Sequence, residues 1–233
     1  MAAAINSGVL PANLTLLFKF FGLAFSALLP VINPFGSALL LLALIGNVPE
    51  QMFHSLARRI AINTIFFLIV IELGGTAVLA FFGISLPVVQ VAGGLTLAAM
   101  GWSLLNQAES DTSSKRAAAA DVDSTRLDEQ IFYPFTFPIT AGPGTIVVML
   151  TLAAHATVRP TVASAMGHAG ILLAVVVLSL LVYLCYAYAP RITQHISSQT
   201  AHGILRVVAF VLLCIGVQIT WNGVEAMLKT ILR

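Results

Sequence analysis

The chain has 233 residues, of which 59% are hydrophobic and only 9% charged, with a formal net charge of +2. Soluble domains carry about 25% charged residues, so these proportions exclude a water-facing exterior and leave no basic patch for a nucleic acid partner. The mean hydropathy of +0.98 marks instead an integral membrane protein in contact with the lipid bilayer.

The N-terminus, Met1-Ala2-Ala3-Ala4-Ile5-Asn6, lacks the positive region of a secretory signal, so the first apolar run reads as a retained membrane segment. A spanning helix needs about 20 mainly apolar residues. Six stretches qualify, roughly 14–46, 60–83, 84–106, 131–157, 168–189 and 204–228. The first is too long for an upright span, since about 33 residues at 1.5 Å rise cover about 50 Å against about 30 Å of hydrocarbon. Either it bends at Pro30 and Pro34, or its second part re-enters as a separate half-helix. A tight turn, Phe82-Gly83-Ile84-Ser85-Leu86-Pro87, separates the second and third stretches.

Residues 107–130 form the one clearly aqueous stretch, with Glu109, Asp111, Lys115, Arg116, Asp121, Asp123, Arg126, Asp128 and Glu129. This acidic linker divides the chain into 1–106 and 131–233. With the halves offset by 109 residues, Pro34 falls on Pro143, Gly94 on Gly203, and the apolar blocks register. Such weak internal symmetry is the mark of duplicated transporter halves. The expected fold is an all-α membrane protein of six transmembrane helices, arranged as two inverted three-helix repeats broken at Pro34 and Pro143. The excess of Arg58, Arg59, Lys115, Arg116, Arg126, Arg191 and Arg206 on one face places the linker in the cytoplasm and both termini on the opposite side. Arg159, Lys229 and Arg233 then fall on the other face, with Lys19 reaching toward it.

The two interruptions, Pro30-Val31-Ile32-Asn33-Pro34-Phe35-Gly36 and Pro138-Ile139-Thr140-Ala141-Gly142-Pro143-Gly144, hold the chemistry. Proline removes a backbone donor, and a broken helix inside lipid is tolerated where it lines a cavity or faces protein. After each break the chain resumes as apolar helix, so each exposes a helix N-terminus suited to a carboxylate or another small anionic group. Asn33, Ser37, Thr140 and Thr145 add polar side chains beside those termini.

Glu72 is the only acidic residue deep in an expected span. A charge at a helix centre costs about 2.5–3.5 kcal/mol on insertion scales and turns toward protein. Its expected role is reversible protonation coupled to transport, or a counter-charge for a substrate ammonium. Glu225, beside Trp221, reads as interfacial. Asn63, Thr64, Gln90, Asn106, Gln218 and Thr220 are expected to hydrogen-bond between helices. Gly93, Gly94, Gly101, Gly167 and Gly170 are expected to let helices pack closely.

The histidines, His54, His155, His168, His195 and His202, show no i, i+4 metal-binding pair. Cys185 and Cys214 sit in apolar runs and read as small buried hydrophobes. No Walker loop, GxSxG elbow or HExxH is present, so neither an enzyme nor a cofactor is expected.

Asn33-Pro34-Phe35-Gly36, Ala92-Gly93-Gly94-Leu95 and Phe137-Pro138-Ile139-Thr140-Ala141-Gly142-Pro143-Gly144-Thr145-Ile146 resemble, in order and spacing, the MarC family of multi-pass membrane proteins. The likeness extends over essentially the whole chain, including its acidic central loop. It implies a bacterial inner-membrane location and, because some relatives are classed as small neutral amino acid transporters, a small-molecule substrate. On that resemblance Asn33, Pro34, Gly36, Ala141, Gly142, Pro143 and Gly144 are substrate-site positions. The expectation is a secondary transporter of a small amphiphilic metabolite, working by alternating access, with the two helix termini taking its carboxylate near the membrane midplane. Alternatives are a passive small-solute channel and a non-transporting scaffold or stress-related protein. Homo-oligomerisation stays open.

Overall fold

A computed structural model of the chain describes residues 2–45, 49–106, 130–157, 161–195 and 198–232. Nearly all of the expected 107–130 linker, together with Arg159 and Arg233, lies outside the described residues. What is described is all-helical: α1 (Ala2–Ile32), α2 (Pro34–Ile45), α3 (Glu50–Phe81), α4 (Leu86–Asn106), α5 (Ile131–Thr140), α6 (Pro143–Thr157), α7 (Thr161–Ala187), α8 (Ala189–His195) and α9 (Ser198–Ile231).

Five helices are long and apolar enough to cross a membrane, and α5 with α6 makes a sixth span if this pair, bent by 68°, is counted as one. The protein is therefore an all-α, multi-pass membrane protein. Its perimeter confirms the inside-out logic of composition, for Phe18, Phe66, Leu73, Val207 and Phe210 are all exposed. Cys214 belongs to that exposed surface too, contrary to the expected burial, whereas Cys185 is half-buried.

The two breaks differ. α1 and α2 form one apolar stretch, Asn13–Leu42, continuous across Asn33, so over its described residues the expected 14–46 stretch is one span interrupted at Asn33 rather than a span plus a separate re-entrant piece. The hydrogen-bond ladder explains this. Asn33 N–H donates to Leu29 O and its carbonyl accepts from Ser37 N–H, both at 2.9 Å. The second break is sharper because Pro134 and Pro138, four residues apart, both lack the donor a regular helix needs. Tyr133 (φ −119°, ψ 121°) and Phe137 (φ −123°, ψ 126°), each before a proline, are extended, as that position prefers. α5 is accordingly a wide coil with five-residue bonds, such as Ala141 N–H to Thr136 O at 2.8 Å.

The turn after α3 closes on Gly83, at φ +68°. Gly83 N–H donates to Ala80 O and Ile84 N–H to Leu79 O, the pattern that ends a helix on a left-handed glycine. The returning chain opens α4, whose main partner is α9. Without water to drive association, helices in lipid rely on close packing at small residues. Gly94 abuts Thr220 and Gly216, Gly101 abuts the backbone of Leu213 and Ala209, and Gly216 abuts Ala98. Gly93 lies against Val147 and Gly167 and Gly170 against α1, so these glycines serve packing as expected. Gly203, which the offset aligns with Gly94, faces open space; that match has no shared packing role.

Most of the polar residues expected to bridge helices bond back to their own. Thr64 donates to Ile60 O, Asn106 to Trp102 O, Thr220 to Gly216 O, and Gln218 to Asn222. Gln90 crosses, reaching Thr151 at 3.5 Å. Glu225 pairs with Lys229 one turn on, beside an exposed Trp221. Helix partnerships do exchange under the offset, since α2 packs on α7 and α6 on α3.

Candidate functional site

Where the two interruptions approach each other, side chains from both halves meet. Ser37, in the first turn of α2, points its hydroxyl at Ile32 O (2.9 Å) and at Ile139 O of the second break (3.2 Å). Thr140, closing α5, donates to Phe135 O at 2.7 Å and lies 2.7 Å from the Tyr186 hydroxyl of α7. Ser37, Thr140 and Tyr186 are all buried. Tyr186 is the penultimate residue of α7, so this junction stands toward one end of that helix rather than at its middle.

A small cavity of about 40 Å³ adjoins the junction, lined by Val31, Leu97, Met100, Pro138, Ile139, Gly142, Gly144, Thr145 and Leu212. A water occupies about 30 Å³ in the liquid, whereas pockets for drug-sized ligands run to about 300 Å³ or more. The cavity therefore has room for water but not for a drug-sized ligand, and two of its walls, Met100 and Pro138, are exposed.

Of the residues that sequence singled out, Gly142, Gly144 and Thr145 line the cavity. Thr145 is fully buried and its hydroxyl has no hydrogen-bond partner among the described residues. The residue preceding α6 is Gly142, whose carbonyl accepts from Thr145 and Ile146 N–H but which has no side chain to cap the helix. Pro143 opens α6 at the position where a missing N–H costs least. An acceptor group entering the cavity would thus find a hydroxyl and the positive end of a helix.

The first break is chemically spent. Asn33 adopts φ +45°, a left-handed conformation that asparagine tolerates, and its Oδ1 accepts from Gly36 N–H at 3.1 Å. It therefore acts as the N-cap of α2, with Pro34 in the following position. A Cβ on Gly36 would collide with the Asn33 side chain and with Leu205. Asn33, Pro34, Gly36 and Ser37 are consequently structural neighbours of the cavity and do not line it, and the same holds for buried Ala141, for Thr140 and for Pro143. The two helix termini are thus unequal, and only the second is presented to open space.

Glu72 stands elsewhere. Its side chain is fully buried, and Oε1 lies 2.7 Å from His168 Nδ1, whose side chain is 24% exposed. Oε2 is buried without a hydrogen-bond partner among the described residues. His168 Nε2 approaches Thr157 at 3.5 Å, and Thr157 is about 18 Å along α6 from Thr145. Glu72 is therefore set apart from the cavity.

At the end of α7 nearest Tyr186, Arg191 forks onto Glu50 with bonds of 3.0 and 2.8 Å. The carboxylate raises the guanidinium further above its ordinary range, so Arg191 keeps its charge at any physiological pH. His54 meets the Tyr188 ring edge-on at 5.1 Å, and Arg191 lies over the same ring at 5.8 Å.

Sequence reasoning missed Tyr186, His168 and the walls Leu97, Met100 and Leu212. Apolar walls give no signal inside an apolar chain. The tyrosine is a phenol within an otherwise apolar run, a weak sign that a buried partner is needed.

A family model described as MarC family integral membrane protein matches residues 18–228. The protein called UPF0056 inner membrane protein MarC of Salmonella typhimurium is 30% identical over 222 residues, covering 92% of this chain and 98% of the relative. The protein of the same name from Escherichia coli O6:H1 is 27% identical over 216 residues, with the same coverage. No solved structure matches the chain.

Proposed function

We propose that this chain, which belongs to the MarC family of integral membrane proteins of the inner membrane, is a secondary carrier of a small amphiphilic metabolite such as a neutral amino acid. The observation that carries the proposal is the cavity at the uncapped start of α6, where a buried Thr145 hydroxyl lacks a partner. Buried polar groups are nearly always satisfied, and an exception asks for a cause. Here the cause is a substrate acceptor group, a carboxylate in the case of an amino acid, that fills the site when the cavity widens.

The carrier works by alternating access, with 1–106 and 131–233 as inverted repeats, α5–α6 counted as a span, and both termini on the non-cytoplasmic side. The exchange of partners between α2–α7 and α6–α3 supports the repeat. In this reading Gly142, Gly144 and Thr145 recognise the substrate, and Asn33, Pro34, Gly36, Ser37, Thr140, Ala141 and Pro143 support the site; the asymmetry of the breaks favours that division. Glu72 couples the cycle to protonation through its pairing with His168, acting through α3 and α7 without touching the substrate.

Uptake of candidate solutes into proteoliposomes under an imposed pH gradient tests this reading. Saturable, gradient-driven uptake is expected, with Glu72→Gln losing the response to the gradient. Linear uptake indifferent to the gradient would make the protein a pore, and no uptake of any small metabolite would remove the carrier altogether. Undiminished gradient-driven uptake in Glu72→Gln would take Glu72 out of the mechanism.

A further inference from the structure

We infer that Tyr186 is the lock of a gate: its hydroxyl holds the second interruption, at Thr140, to α7 beside the cavity, and its release opens the cavity toward the face that bears Glu50 and Arg191. The inference rests on the carrier reading for its purpose but on geometry for its location.

Thr140 spends its single hydroxyl hydrogen on Phe135 O, so in the 2.7 Å contact the tyrosine donates and the threonine accepts. Ser37 lies beside the same phenol and ties the end of α1, at Ile32 O, to the end of α5, at Ile139 O. Three hydroxyls thus join α2, α5 and α7 at a fully buried point. Apolar groups of the same shape would hold such a joint with nearly equal stability. What hydroxyls add is one defined arrangement that ends when its bonds are exchanged.

The position of the joint gives that property a use. Ile139, whose carbonyl Ser37 holds, is itself a cavity wall, and so is Pro138. Phe137, immediately before them, has extended backbone angles, so this wall is not itself part of a regular helix, although Phe67 of α3 packs on the Phe137 ring. The closed joint therefore fixes the wall, and an open one frees it. On the outer side of the joint, five residues further along the chain from Tyr186, Arg191 clamps Glu50 while Tyr188 packs on His54. The same end of the molecule is closed twice, once inside and once at the rim. An exposed ion pair contributes little, so the inner hydroxyl joint carries most of the closure.

The test places a single reporter cysteine at the fully buried cavity wall, Leu97→Cys, with Cys185 and Cys214 replaced by alanine. A membrane-impermeant maleimide is added to vesicles from the Glu50–Arg191 face. Tyr186→Phe keeps the ring and removes the bond, and Thr140→Val removes the partner from the other side. Loss of one neutral buried hydrogen bond is expected to speed labelling about three- to tenfold in either variant, from that face only. Unchanged labelling in both variants overturns the lock, as does equal acceleration from both faces, which marks general loosening. Accelerated labelling in a protein that moves no solute keeps the lock and discards the carrier. Should Tyr186→Phe fail to yield a folded protein, Thr140→Val decides alone.

Discussion

Replacing Thr145 with valine keeps the shape of the side chain and deletes a hydroxyl that is buried without a partner. An unsatisfied buried polar group costs about 1–3 kcal/mol, and this one has no hydrogen-bond partner among the described residues. Thr145→Val should therefore raise stability by about 1–2 kcal/mol, and a chain of this size shifts its Tm by about 2–4 °C for each kcal/mol. Function should move the other way. A hydrogen bond to a charged group is worth about 1.5–3 kcal/mol, so the half-saturation concentration for transport should rise about ten- to hundredfold. Thermal unfolding in detergent, followed by the fluorescence of Trp102 and Trp221, supplies the first quantity. Uptake kinetics in proteoliposomes supply the second, with Thr145→Ser as the variant that restores both. A lower Tm together with unchanged uptake in Thr145→Val would refute the reasoning, because the hydroxyl would then be structural.

Two further substitutions probe the frame around the site. At Gly101 a Cβ would meet Leu213 N at 2.6 Å and Ala209 O at 2.8 Å, and backbone cannot swing aside. Gly101→Val should therefore push α4 from α9 at a cost of about 1–3 kcal/mol, seen as a lower Tm, and a wild-type Tm would contradict the close crossing. At Asn33, alanine loses the cap and sits badly at φ +45°, costing about 1–2 kcal/mol, whereas glycine forfeits only a few tenths. The expected Tm order is asparagine, then glycine, then alanine, and alanine ranking above glycine would show that the left-handed angle is unimportant.

Hydropathy located every span because lipid imposes its length on any apolar helix. It misplaced ends where helices continue into water, as α3 does from Glu50 through Arg59. The positions of both breaks were legible too, since Pro34 and Pro143 cannot donate. Their inequality was not. Whether a helix start is open or closed depends on the residue before it, and only the folded geometry turns Asn33 onto Gly36 N–H while leaving bare Gly142 beside a cavity. The Pro134–Pro138 spacing was readable, yet apolar content masked how far it unwinds α5. The pairs that organise the interior are tertiary: Thr140 and Tyr186 are 46 residues apart in the chain, and Glu72 and His168 are 96 apart. No local pattern announces such partners. Glu72 stood out because a lone carboxyl in an apolar segment is rare, while His168, near a span end, looked interfacial.

Counterflow tests the central claim most directly. Proteoliposomes loaded with an unlabelled neutral amino acid are diluted into a trace of the labelled solute, with no ion gradient imposed. A site exposed alternately to the two sides predicts transient accumulation of label above its external concentration, saturable by the internal load and weakened in Thr145→Val. Label that merely equilibrates, at a rate proportional to its concentration and unaffected by what is inside, would contradict alternating access.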